Sequence, residues 1–166
     1  SHDEEEASRQ IHHLILLCKD ELGSKNLCKL ISKAYLEGFY YKPRIDIDLL
    51  KEFREGLICT TACLKGEVGY NFFTGQDDRA ERAIEKLKGV FGREDRYLEI
   101  QENGIPEQKI VNERVIAYAK ANDLKVVATN DAHYMTKEDA TAQEVLLCVQ
   151  TGKSFSDENR MRMTSQ

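Results

Sequence analysis

A chain of 166 residues with 41% hydrophobic and 32% charged side chains can build one globular domain with a sizeable core, and its few Gly and Pro exclude a fibrous or disordered chain. A formal net charge of -5 and a pI near 5.5 exclude a broad basic surface for nucleic acid, while leaving room for a local one. No apolar run approaches the roughly 18 residues of a membrane span, no secretory signal is visible, and five cysteines without a Cys-x-x-Cys pair read as a reducing, cytoplasmic chain with no membrane partner.

Residues 1–10, Ser1-His2 and the acidic stretch after it, read as a cloning remnant and lead-in. His13 to Cys18 is a short, continuously apolar strand, and Lys19 to Gly23 is a turn. Ser24 is suited to cap a helix whose Leu27, Leu30, Ile31, Ala34 and Tyr35 share one face, with Gly38 as terminator. Phe39 to Asp46 is aromatic and basic, and Pro43 disfavours helix there. A short helix over Ile47 to Phe53 leads to Gly56 and a second strand, Leu57 to Thr61, with Cys63 to Glu67 at its end. Asp77 or Asp78 opens a helix with Ala80, Ala83, Ile84, Leu87 and Phe91 on one face. Arg96 to Ile100 is the third strand, and Pro106 suits the first position of a helix running to Ala121. Strand four is Lys125 to Thr129. Thr136 to Asp139 fits a capping box that opens a last helix through Val149, which Gly152 stops. Ser154 to Gln166 is polar and without periodicity, so the division expected is 1–10 lead-in, 11–153 domain and 154–166 linker or truncated continuation. Strand and helix alternate as in an α/β protein, at barrel-like or doubly wound spacing and without an internal repeat.

The chemistry-bearing residues cluster at strand ends. In Val126-Val127-Ala128-Thr129-Asn130-Asp131-Ala132-His133, a period of two points Asp131 and His133 the same way, so that a carboxylate and an imidazole reach one metal or phosphate. The alternative is a polar loop after a buried strand. Cys63 is either a small packed residue or, past its strand, a thiolate ligand. His12 and His13 precede the first strand. They lie at the opposite end of the sheet if that strand runs like the others, unless a short bent segment carries one of them into the site. Glu67 reads as a solvated loop carboxylate, Glu102 as one within reach of a site and Glu99 as structural. Tyr40, Tyr41, Lys42 and Arg44 mix stacking surface with positive charge, suited to single-stranded nucleic acid or to packing of a connecting loop. No phosphate-binding loop, dinucleotide fingerprint, zinc-finger spacing or nucleophile elbow is present, and no residue is assigned a catalytic role.

Several runs, in order, resemble one family. They are His13 to Lys19, Ser32 to Tyr40 with Lys42 to Asp46, and Cys63-Leu64-Lys65-Gly66-Glu67. Glu99-Ile100-Gln101 through Gln108 and Val126 to Tyr134 complete the series. The chain resembles the second half of the PHP (polymerase and histidinol phosphatase) domain of bacterial replicative DNA polymerase III alpha subunits. The resemblance implies part of a distorted, TIM-like (β/α)7 barrel whose N-terminal strands are missing, with a metal cluster at one mouth. It also implies His13, Cys63, Asp131 and His133 as ligands, with zinc or manganese as the metal. The family's opening His-x-His strand, the histidine and acidic residues after it, and the polymerase's palm carboxylates are absent from this sequence.

The function implied is that of a fragment of a DNA-synthesising nucleotidyltransferase, magnesium-dependent in polymerisation, whose PHP portion hydrolyses a 3′ phosphodiester. DNA and other replisome subunits, the proofreading subunit among them, are the implied partners. Two alternatives stay open. One is a structural PHP scaffold that stabilises the polymerase and docks that subunit, and the other is a free-standing phosphoesterase of the histidinol-phosphatase type. The fragment itself is expected to synthesise no DNA and, with few strands, to self-associate.

Overall fold

A computed structural model describes residues 11–162, so the expectations for 1–10 and for the last residues fall outside it. The described residues form two compact units divided between Thr129 and Asn130. The first unit holds β1 (Ile15–Cys18), α1 (Glu21–Leu36), α2 (Ile47–Glu52), β2 (Leu57–Thr60), α3 (Glu67–Phe73), α4 (Asp77–Lys88), β3 (Arg96–Gln101), α5 (Pro106–Ala121) and β4 (Val126–Thr129). The second contains α6 (Ala140–Thr151). The chain is thus mixed α/β, and among the described residues no helix is long and apolar enough to cross a membrane.

The strands form one sheet in the order β1-β2-β3-β4. β2, β3 and β4 run parallel, joined by helical crossovers as the alternation predicts. β1 departs from the expectation of like orientation: it pairs antiparallel to β2, with Ile15 opposite Thr60 and Cys18 opposite Leu57. The connection from β1 carries both α1 and α2, and a strand at the margin of the sheet is free to reverse because only one neighbour constrains it. β1 is also shorter than predicted, since His13 makes an isolated parallel bridge to Gly66 instead of joining the ladder.

Side-chain alternation puts Leu57 and Cys59 of β2 and Leu98 of β3 on the same face of the sheet, where two core clusters form. Leu57 and Cys59 of β2 pack with Leu30, Leu50, Leu87, Val90 and Phe91. Leu98 of β3 packs with Val68 and Phe72 of α3, Ala80, Ala83 and Ile84 of α4, and Val111, Val115 and Ala119 of α5. At α1 the buried stripe is Asn26, Leu30 and Ala34, while Ile31 and Tyr35 of the predicted face are exposed. The apolar residues of α1 span a wider arc than the helix buries. Its cap is Asp20 rather than Ser24: the Asp20 carboxylate accepts from Gly23 N–H at 2.7 Å, one turn earlier than expected. A Cβ on Gly23 would lie 1.9 Å from the Gly56 carbonyl oxygen, so bare backbone is what lets α1 start against the entry to β2.

In the second unit the capping box forms as read, with Thr136 and Asp139 bonding reciprocally, and Gly152 ends α6 at φ 65°. Lys153 N–H returns to the Cys148 carbonyl at 3.0 Å. Arg160 reaches Glu144 of α6 at 2.6 Å and lies over the Phe155 ring at 4.5 Å, which ties the polar C-terminal segment to the helix.

Candidate functional site

The reversal of β1 decides where His13 sits. Because Ile15 faces Thr60, the last residue of β2, the residues before Ile15 lie beyond the carboxyl end of β2. His13 N–H donates to the Lys65 carbonyl at 2.9 Å, so its backbone is fastened to the loop that carries Cys63. That loop is tightly shaped. Ala62 holds φ 58°, Gly66 N–H donates to the Cys63 carbonyl at 2.9 Å, and a Cβ on Gly69 would stand 2.5 Å from that same oxygen. A β1 parallel to its neighbours would leave His13 at the opposite end of the sheet, and the antiparallel strand brings it to the carboxyl end of β2 instead. His13 is exposed, while His12 is half-buried with its ring 5.5 Å from that of Tyr70.

In the second unit, Asp131 and His133 follow β4 in irregular backbone, so the period-of-two argument does not orient them. What brings them together is local. His133 Nδ1 lies 2.7 Å from the Asp131 carbonyl oxygen and 3.9 Å from its Oδ1. A carbonyl can only accept, so this contact puts a proton on Nδ1 and leaves Nε2 as the ring nitrogen that would face a metal. Among the described residues, no group of three or more His, Cys, Asp or Glu side chains is assembled to hold a metal ion.

A cleft of about 730 Å³ opens beside His13. His12, His13, Thr61 and Glu67 line it together with Arg44 and Asp46. Glu67, read as a loop carboxylate, opens α3 and pairs with Lys86 of α4 at 3.1 Å. Sequence reasoning missed α3 and with it this pair. The segment has a glycine cap without a side-chain bond, a second glycine within its span and only seven residues, so neither cap nor periodicity announces it.

The aromatic-basic run forms a tight turn on the cleft's border. Tyr40 N–H donates to the Lys42 carbonyl at 3.1 Å, Tyr41 stands in the left-handed region at φ 60°, and the Arg44 guanidinium lies 4.8 Å over the Tyr40 ring.

Beneath the strand ends runs a buried polar ladder. Glu99, only 2% exposed, accepts from Thr60 on β2, from Thr129 on β4 at 2.5 Å and from Gln101 at 3.0 Å, while its own N–H donates to Thr61 Oγ1 at 2.9 Å. One carboxylate thereby ties the ends of β2 and β4 across β3. Glu102 is exposed and lies outside this ladder. On the other face of β2 burial pushes the Cys59 thiol up to about 12, opposed by the nearby Arg96 guanidinium.

The PHP domain family matches residues 2–103, a stretch that includes His13 and Cys63. DNA polymerase III subunit alpha of Borreliella burgdorferi is 48% identical over 160 residues, 96% of this chain and 14% of that protein. The same subunit of Aquifex aeolicus is 50% identical over 146 residues, 88% of the chain and 12% of the relative, and that of Thermus aquaticus is 46% identical over 151, 90% and 12%. The chain therefore spans a small part of the length of the relatives it matches. With more than half of its residues matched by the family and nearly all of them by these relatives, the chain belongs to the PHP domain family.

Proposed function

We propose that this chain is the PHP portion of a bacterial replicative DNA polymerase subunit, and that it contributes a divalent-metal site for hydrolysing a 3′ phosphodiester bond. The sheet is read as one side of a distorted (β/α)7 barrel, within a domain over 11–153. His13, Cys63, Asp131 and His133 are the ligands. The observation that carries the reading is the antiparallel β1, which fastens His13 to the Cys63 loop at the carboxyl end of β2. β4 is parallel to β3 and β2 and ends at the same margin of the sheet, two residues before Asp131 in the chain.

The donor set fits zinc or manganese: an imidazole with a free Nε2, a thiol on a constrained loop, a carboxylate and a second imidazole. When bound, such a cation neutralises the scissile phosphate and acidifies the attacking water. The chain's own part is to hold and orient. The Asp131 carbonyl fixes the His133 ring, the strained Ala62 turn fixes Cys63, and Arg44 offers a phosphate contact in the cleft. Tyr40, Tyr41 and Lys42 are the further nucleic-acid contacts. The longer polypeptide would be a magnesium-dependent nucleotidyltransferase working with DNA and other replisome subunits in the cytoplasm.

In the full-length polypeptide, Asp131→Ala, His133→Ala and Cys63→Ser should each lower bound zinc or manganese and slow 3′ hydrolysis together. Elemental analysis with unchanged metal in all of them would sink the assignment. A second reading, a scaffold that docks the proofreading subunit, draws support from the exposed Ile31, Tyr35, Leu36 and Phe39 at the end of α1. It predicts that Ile31→Asp weakens capture of that subunit and leaves metal content untouched.

A further inference from the structure

We infer that the turn at Tyr40 to Lys42, with Arg44, is a stacking platform for the unpaired 3′-terminal nucleotide of a DNA strand, an inference that rests on the hydrolytic reading above. Tyr41 supplies the first observation. It holds φ 60°, where a bulky L-residue is disfavoured, yet its ring is 84% exposed and contributes nothing to either core cluster. Strain kept at an exposed aromatic is strain in the service of presentation. The Tyr40 ring meets it edge-on at 4.7 Å, and Tyr35 and Phe39 stack at 6.3 Å, extending the aromatic row toward α1.

Charge supplies the second. Among the described residues Lys42 and Arg44 have no carboxylate partner, whereas Lys33 pairs with Glu37 and Lys86 with Glu67. Asp46, the nearest acidic residue in sequence to Arg44, is engaged as the cap of α2, accepting from Leu49 N–H at 2.8 Å. Lys42 without a carboxylate and Arg44 held over the Tyr40 ring set positive charge beside aromatic surface, as phosphate stands beside base. An acidic peptide would use the cations and leave the rings idle.

Continuity with the cleft supplies the third and selects the single strand. Arg44 lines the cleft together with His12 and His13, so a phosphate held there belongs to a strand whose end enters the same space. A paired terminal base is held in the helix stack by its partner strand and cannot turn out toward the platform. An unpaired terminal base offers a free face to Tyr41.

The test uses the full-length polypeptide and primer–templates carrying 4-thiothymidine at an unpaired 3′ terminus, at a paired 3′ terminus or in the template overhang. After irradiation, only the unpaired 3′ label should crosslink to the peptide spanning residues 39–44. Tyr41→Ala and Arg44→Ala should lower that yield about tenfold, the size of one base–aromatic stack, while Tyr41→Phe keeps it. Tyr41→Gly relaxes the backbone, so it should lose the crosslink while resisting limited proteolysis at least as well as the parent. Equal capture from the template overhang, capture of the unpaired 3′ label elsewhere, or full yield from Tyr41→Gly would overturn the platform. A crosslink retained in a protein devoid of 3′ hydrolysis would overturn the hydrolytic reading and uphold the platform.

Discussion

Glu99 is a buried carboxylate held by hydroxyls and an amide, with no cation paired to it among the described residues. Its removal as Glu99→Ala strands the donors of Thr60, Thr129 and Gln101. The expected loss is on the order of 3 kcal/mol, measured by denaturant unfolding, and Glu99→Gln should lose less because its amide still bonds to hydroxyls. An unchanged midpoint in Glu99→Ala would show that the ladder holds nothing. Cys59 makes a pH prediction. Burial raises its folded-state pKa from an ordinary 9.0 to about 12, so the folded state binds the extra proton across that window. Its contribution to stability is intact below pH 9.0 and falls as pH rises toward 12. At pH near 8, a thiol reagent should modify exposed Cys18 and Cys28 and spare Cys59. Rapid labelling of Cys59 in the native protein would contradict its burial. At this scale much was legible. Glu99, near the end of the third strand, was read as structural, and Cys63 stood out by its place after β2. Hidden from view was the link between Asp131 and His133, because it runs through a backbone carbonyl and not through side-chain alternation.

Among the elements, those with a cap and a period could be read and those fixed by neighbours could not. Pro106 and Gly152 mark ends through backbone chemistry that is local to the sequence and sit at the boundaries observed, while the Thr136–Asp139 box caps a 3-10 turn, Lys137–Asp139, that leads into α6. The direction of β1 is a tertiary choice, set by what pairs with it. α3 is held by the burial of Val68 and Phe72 in the core beneath α4 and α5, a contact no window of sequence displays. The start of α1 is likewise a matter of contact. Gly23→Ala would drive a methyl into the Gly56 carbonyl, so it should destabilise by about 1–3 kcal/mol despite alanine's better helix propensity. Thermal melting reads this directly, and a rise in Tm would refute the close approach.

At the scale of the whole molecule, the sheet formed by the described residues ends at β1 on one side and at β4 on the other. Ile15, Leu17 and Val126 on these outer strands are exposed, an arrangement that invites strand pairing with a second copy. Sedimentation equilibrium of the 166-residue chain should therefore show concentration-dependent association, and a strict monomer at high concentration would refute it. The same chain should extend no primer, since the family resemblance brings no palm carboxylates with it. Template-dependent extension by pure material would reverse that. The alternation of strand and helix was legible from β2 onward, where helical crossovers return the chain to a parallel neighbour. The open margins were legible only as a shortage of strands.

The antiparallel β1 also bears on how the protein comes apart. β2, β3 and β4 are joined by successive crossovers, whereas β1 is held by one ladder to a partner distant in sequence. Loop closure sets its return, and an outer strand of four residues is the least expensive part of the sheet to release. Amide exchange should find Leu16 and Cys18 opening before Leu98 and Ile100. Because the bond from His13 to the Lys65 carbonyl lies on the same short segment, fraying of this strand would free the histidine from the Cys63 loop while the core stayed folded. The pairing of His13 with the Cys63 loop would then be lost at a lower temperature than the fold of the domain, like a fuse set at the margin of the sheet.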